Sequence, residues 1–370
     1  MVLLTDKIRG CLFGGAVGDA LGYPVEFRTA EQIFAIYGEK GIQDYELFHE
    51  KAYISDDTQM TLFTANGLLV GYTRLCLRGI MGAWQLYVEQ AYKDWLITQK
   101  SEGKCGNEQG NSWLLNIRDF YHRRAPGNTC LSALEQEKCG SVNRPVNGSK
   151  GCGGVMRVAP IGLYLPKHMK DIRKIDMVGA EVAALTHGHP LGYIPAAALT
   201  HIIVRCLQTS WSMDEIIQDA IKTTSELFAD KAYIDEFVYL MKRAMELAQE
   251  ERNDLDAIRE LGEGWVAEET LAIAVYCALK YQNDFAKAVT VSVNHDGDSD
   301  STGAVTGNIM GAYLGYQSIP RKYIEPLELK EVIEEIAQDL YEDCKMSEYD
   351  SYRDEKWIAK YCACTYGMSE

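Results

Sequence analysis

The chain has 370 residues, 47% of them hydrophobic, and carries 37 Lys+Arg against 53 Asp+Glu, a formal net charge of −16. That balance disfavours a protein that grips nucleic-acid phosphates, which needs a basic stripe, while the apolar content is ample for a buried core. The eleven cysteines are scattered, odd in number and without a Cys-x-x-Cys pair, which argues against a disulfide scaffold or a structural zinc site and for reduced thiols in a cytoplasm.

Taken in chain order, Met1 to Gly10 lacks the apolar stretch of a signal peptide, and no run reaches the roughly 18 apolar residues of a membrane span, so no membrane partner is expected. Gly10, Gly14, Gly18 and Gly22 recur every four residues, and Gly303, Gly307, Gly311 and Gly315 repeat the pattern. Glycine inside a helix costs roughly 1 kcal/mol against alanine, so two such stripes need a compensating gain. Residues four apart share a helix face, and each stripe would let another backbone approach closely, the two helices packing on one another and carrying Asp19 and Glu26 toward residues 296–301. The alternative is a first stripe that is partly loop.

Between the stripes, Met81 to Leu96, Asp176 to Leu207, Met213 to Phe228, Ile234 to Leu261, Glu268 to Tyr281 and Leu329 to Tyr341 place apolar residues at helical spacing. Alternating strand-like runs are scarce, so an all-α protein is expected, with loops near Gly38 to Lys51, Gln99 to Ser112 and Gly140 to Gly154. No linker of Pro, Gly and Ser divides the chain, which predicts one domain over 1–370, with 319–370 an extension whose place in it is open. In that extension Cys362-Ala363-Cys364 reads either as a reactive pair or as an ordinary free-thiol tail.

Two acidic clusters carry the chemistry. Ser55-Asp56-Asp57-Thr58 and Asp296-Gly297-Asp298-Ser299-Asp300-Ser301-Thr302 stand about 240 residues apart, and each runs into an apolar, small-residue stretch that reads as a helix. Either cluster alone is explained by helix capping. Two together, with three aspartates in the second, suggest one site for hard divalent cations such as Mg²⁺ or Mn²⁺, whose preferred ligands are oxygens. The second cluster is not an EF-hand, because Ser301 stands where that loop needs glycine and Gly307 where it needs glutamate.

The remaining motifs are weaker singly. Gly14 to Glu26 lacks the Lys-Ser/Thr ending of a phosphate loop. Gly151-Cys152-Gly153-Gly154-Val155-Met156-Arg157 reads as a flexible loop suited to close backbone approach to a polar ligand. Thr186-His187-Gly188-His189-Pro190 offers two zinc-type ligands with no third at a recognisable spacing, or else a helix end.

In this order the motifs resemble the ADP-ribosylglycohydrolase family, from about Asp6 to Gly315. Four segments carry the likeness: Gly14 to Glu26, Ser55 to Thr58, the glycine loop ending at Met156-Arg157, and Gly297 to Ser301; Arg124 to Gly127 and Gly264 to Glu269 add to it. The resemblance implies an all-α orthogonal helical fold and a two-metal centre, Mg²⁺ or Mn²⁺, that cleaves the bond between ADP-ribose and its acceptor. It assigns Ser55, Asp56 and Asp57 to one ion and Asp298, Asp300 and Ser301 to the pair, with Asp300 bridging. Two such ions orient ribose hydroxyls and activate water, and an oxocarbenium-like transition state uses carboxylates nearby. Glu26 is then the candidate to position or activate water, with Asp56 or Asp298 sharing the task. The N–H groups of Gly151, Gly153 and Gly154 would meet the diphosphate, and His187 matches a position near the substrate. The adenine-stacking aromatic is one of Tyr164, Tyr193 and Trp265.

The expected partner is an ADP-ribosylated protein or an ADP-ribosyl small molecule. A reader of ADP-ribose without activity, or a hydrolase of another N-glycoside, remains an alternative on sequence alone. Oligomeric state is left open.

Overall fold

A computed structural model describes residues 2–101, 105 and 110–362. Part of the Gln99 to Ser112 loop and the Ala363 and Cys364 of the thiol tail lie outside these residues. Among the described residues the chain is all-α: seventeen α-helices and six short 3-10 turns, with no strand and only isolated β-bridges.

The first glycine stripe is helical throughout, in Leu4–Gly22, and the second through Gly311, in Ser299–Leu314, with Gly315 just past the helix end at φ +88°; the two helices run antiparallel against each other at the centre of the molecule. The glycines make the contact. A Cβ added at Gly10 would lie 2.2 Å from the Gly311 carbonyl oxygen, at Gly14 2.2 Å from that of Gly307, and at Gly18 1.9 Å from that of Gly303. Backbone meets backbone along the whole seam, and the side-chain carboxamide of Asn308 adds a hydrogen bond to the Cys11 carbonyl at 2.8 Å. Close dispersion contact over this length is what offsets the intrinsic helix cost of the seven stripe glycines that lie inside the two helices.

The first helix ends where its polypeptide reaches the second acidic cluster: a Cβ at Gly22 would sit 2.3 Å from the Ser299 carbonyl oxygen and 2.5 Å from the Asp300 nitrogen. The Asp56–Arg78 helix is held to the same place by Asp19, which projects from the first helix; its carboxylate accepts the Ser55 N–H at 2.9 Å, the Thr58 N–H at 3.0 Å and the Thr58 hydroxyl. Ser55 is the cap of that helix, its hydroxyl accepting the Asp57 N–H at 3.2 Å.

Several boundaries differ from the sequence reading. The stretch Asp176 to Leu207 is two helices, Ile172–Ala184 and Pro190–Gln208, because Pro190 occupies the first turn of the second, where its missing N–H costs nothing, and His189 caps it by accepting the Leu191 N–H on Nδ1 at 3.1 Å. Ile234 to Leu261 is likewise two, Ile234–Gln249 and Asp254–Leu261, divided by the Asn253 cap. The Met81 to Leu96 segment begins at Trp84 and continues to Lys100.

Pro190–Gln208, 19 residues long, reaches a mean hydropathy of 1.3 over an 18-residue window, which by length and composition alone would suffice to cross a membrane. It is a core helix here, 83% buried among its neighbours, and it carries His201 between two aspartates, with Nδ1 2.8 Å from Asp176 and Nε2 2.9 Å from Asp219.

Candidate metal centre

The glycine seam brings the two acidic clusters together. Glu26, just past the first helix, offers a carboxylate oxygen within 4.8 Å of oxygens from Asp298 and Asp300 at the start of the second glycine helix, and all three residues are buried. From the facing helix terminus, Ser55 hydrogen-bonds the Asp300 carboxylate, and Asp57 lies close enough to feel the charges of both Asp300 and Asp298. Asp56 is fixed from the outside, its N–H donating to the Arg124 carbonyl at 3.1 Å and its carboxylate accepting the Gly127 N–H at 3.3 Å.

The second cluster has its own internal order. Asp298 caps its helix by accepting the Ser301 N–H at 3.2 Å, and Asp300 accepts the same N–H at 2.9 Å. Asp296 points elsewhere, to the Ala30 N–H at 2.7 Å and Arg259 at 2.9 Å, so the alternation of three aspartates in sequence places two in the site and one outside it. Gly297 adopts φ +122°, a conformation glycine reaches without strain, and a Cβ there would strike the Glu263 carbonyl oxygen at 2.0 Å.

Crowding so many carboxylates out of water has an electrostatic consequence. Burial, and then the charges of Asp300, Asp298, Asp56 and Asp19, push Glu26 up to about 11. Burial and Asp300 push Asp19 up to about 7, against the hydrogen bonds from Thr58 and Ser55. Burial followed by neighbouring aspartates raises Asp56, Asp57 and Asp300 well above the carboxylate range. The charges that weigh on Glu26, Asp57 and Asp300 are all negative.

Two oxygens in the site, Glu26 Oε2 and Asp57 Oδ2, are buried and lack any hydrogen-bond partner. A buried carboxylate oxygen without a donor costs about 1–3 kcal/mol, more when charged, and carboxylates that share no cationic side chain need a counter-charge. An all-oxygen donor set of carboxylates and serine hydroxyls fits hard divalent cations.

The glycine loop forms the adjoining wall. Gly151 pairs with Val266, the Cys152 N–H donates to the Trp265 carbonyl at 3.2 Å, and the Ala267 N–H donates to the Lys150 carbonyl at 2.9 Å. The N–H of Gly154 turns inward to the Gly151 carbonyl and that of Gly151 to the Ser149 hydroxyl, both at 3.4 Å. His187 lies beneath this loop: a Cβ at Gly153 would be 3.0 Å from its Cε1, and at Gly151 3.3 Å from its Nε2. Burial, then Arg157, pushes its imidazole down to about 3, so the ring is neutral, with Nδ1 2.8 Å from the Thr186 hydroxyl.

Of the three aromatics considered for stacking, Tyr164 is buried with its hydroxyl on Asp343, and Tyr193 is buried with its ring 5.9 Å from that of Phe228. Trp265 is partly exposed and stacks on Phe27, the residue after Glu26, at 5.7 Å between ring centroids.

Sequence reasoning missed Cys152, whose thiol contacts both Asp298 and Ser301, and Phe27, which the partnership with Trp265 places beside the site. Neither residue type at those positions signals an acidic centre, and only the fold brings them there.

The description ADP-ribosylglycohydrolase belongs to the family whose model matches residues 2–350. The chain is 27% identical over 347 residues to an uncharacterized protein of Archaeoglobus fulgidus, covering 92% of this chain and 97% of that one. It is 27% identical to the human ADP-ribosylhydrolase ARH3, covering 91% and 93%, and 24% identical to the ADP-ribosyl-[dinitrogen reductase] glycohydrolase of Rhodospirillum rubrum, covering 88% and 91%. A solved structure titled ADP-ribosylglycohydrolase-related protein complex shares the fold, with a TM-score of 0.61 at 23% identity over 92% of this chain and 98% of that one.

Proposed function

The chain belongs to the ADP-ribosylglycohydrolase family and is a hydrolase of glycosidic bonds, and from that premise we propose that it removes ADP-ribose from modified protein side chains in a reaction that depends on two divalent ions, Mg²⁺ or Mn²⁺. The observation that carries this reading is the convergence of Glu26, Asp298 and Asp300 within 4.8 Å beside the Asp56–Arg78 helix terminus, with unpartnered buried oxygens on Glu26 and Asp57.

Ser55, Asp56 and Asp57 would hold one ion, and Asp298, Asp300 and Ser301 would complete the pair. Bound there, the ions supply the positive charge that lets these carboxylates ionise together, orient ribose hydroxyls and make a water more acidic. Glu26, entering from a third element, positions the attacking water and takes its proton, with Asp56 and Asp298 fixing the approach. The water oxygen bonds to the anomeric carbon, the bond to the acceptor breaks, and a proton passes to the departing side chain. Gly151, Gly153 and Gly154 form the wall that admits the diphosphate, over His187. Its ring, neutral by burial, adds no charge beneath the loop.

The test is release of ADP-ribose from mono-ADP-ribosylated protein after chelation and re-addition of Mg²⁺ or Mn²⁺. Restored release supports the proposal. Binding of ADP-ribose with no turnover under any divalent ion would make the chain a reader, and turnover confined to small ADP-ribosyl conjugates would move the substrate away from proteins.

A further inference from the structure

Far from the acidic centre, the other end of the Asp56–Arg78 helix carries Thr73 and Cys76, and the chain that follows the Lys330–Glu342 helix returns to lie against it. Three contacts define this junction. The Glu348 N–H donates to the Cys76 carbonyl at 2.8 Å, the Trp357 indole N–H donates to the Thr73 hydroxyl at 2.8 Å, and the thiols of Cys76 and Cys344 are in hydrogen-bonding contact with each other. Both cysteines are half-buried rather than sealed in the core.

From this geometry we infer that Cys76 and Cys344 are a modification site, a thiol pair that low-molecular-weight disulfides convert to an intramolecular disulfide clasping the C-terminal segment to the Asp56–Arg78 helix. One thiolate attacks the small disulfide, forming a mixed disulfide and expelling one small thiolate. The second cysteine then attacks the protein sulfur, forming the Cys76–Cys344 bond and expelling the other small thiolate. In sum, two protein thiols give up two electrons and two protons, and the reagent is reduced to two thiols.

Proximity favours the second step over escape of the mixed disulfide, because the attacking sulfur is already in contact. Burial raises both thiols, Cys76 up to about 12, so the pair reacts slowly at neutral pH and faster as pH rises. Cys11 and Cys206 also lie near each other, but both are wholly buried and out of reach of a dissolved oxidant.

The bond would close a loop of most of the chain, which constrains the unfolded state, whereas the acidic centre is about 30 Å away along the helix. The clasp is therefore structural: stability rises while the chemistry at the other end is untouched.

The experiment treats the reduced full-length protein with oxidised glutathione at pH 8.5 and maps disulfides by mass spectrometry of non-reduced peptides. A cross-linked peptide joining Cys76 to Cys344, two hydrogens lighter than its reduced parts, is expected, with Tm raised by about 5 °C or more and reversed by a thiol reductant. Cys76→Ser and Cys344→Ser should each abolish that peptide and the Tm shift. Finding the two cysteines reduced, or separately glutathionylated, in the wild-type protein overturns the inference without recourse to the variants.

Discussion

At the scale of single residues, Asp300 and Asp19 separate two roles that the sequence gives to one residue type. Asp300 sits where both acidic clusters meet, and burial and Asp298 raise its carboxyl well above the ordinary range, so it adds repulsion to a site without a cation. Replacing it with Asn should abolish ADP-ribose release and weaken Mn²⁺ binding by at least tenfold in calorimetry, while leaving the metal-free protein as stable as wild type or slightly more so. A metal-free variant that unfolds would make Asp300 a structural residue instead. Asp19 has the opposite signature. Its oxygens are saturated by the Ser55 and Thr58 N–H groups and the Thr58 hydroxyl, which leaves little for a ligand and makes it the anchor of the Asp56–Arg78 helix. Asp19→Ala leaves two buried N–H groups without acceptors and should cost about 2–3 kcal/mol in urea unfolding, metal present or absent. The glycine stripes showed in the sequence that Glu26 is carried toward the second acidic cluster, but the spacing of charges did not show that Asp296 turns out to Arg259, because side-chain direction at a loop depends on backbone angles that neighbouring segments impose.

At the scale of elements, the glycine stripes were legible because a seam where backbone touches backbone leaves a periodic trace: only glycine fits, and it must recur every four residues to stay on one face. Gly14→Ala puts a methyl 2.2 Å from the Gly307 carbonyl oxygen, and neither backbone can retreat without opening the seam. The expected loss is about 2–4 kcal/mol, with activity falling as well, since the same seam holds Glu26 against Asp300. Gly148→Ala is the comparison, because nothing lies within 4 Å of its added Cβ, and it should change stability by less than about 0.5 kcal/mol. Equal losses in the two variants would mean that the seam is not tightly packed. The helix break at residues 185–189 was less legible. Apolar residues continue at helical spacing on both sides of it, so the sequence reads as one helix across the break, although the two histidines, with no third metal ligand in sight, already favoured a helix end, as His189 accepting the Leu191 N–H bears out.

At the scale of the whole molecule, the acidic centre sets how stability depends on pH and on divalent ions. Without a cation, Glu26 is pushed up to about 11 and Asp19 up to about 7, by burial first and by Asp300 next, against ordinary carboxylate values near 4. A folded-state pKa raised above the unfolded value contributes stability that is complete below the unfolded value and disappears as pH climbs through the folded one. The chelated protein should therefore lose stability steadily from about pH 4.5 upward, through pH 7 for Asp19 and beyond for Glu26. A divalent ion bound among the same carboxylates favours their ionised forms, reverses the sign of that dependence and adds about 2.7 kcal/mol at a hundredfold excess over its Kd. Melting curves between pH 5 and 9, in chelator and in Mn²⁺, should diverge as pH rises, the gap being widest at the alkaline end. Parallel curves would mean that the cation binds elsewhere, since a surface site has no reason to share a pH dependence with carboxylates buried beneath the glycine seam.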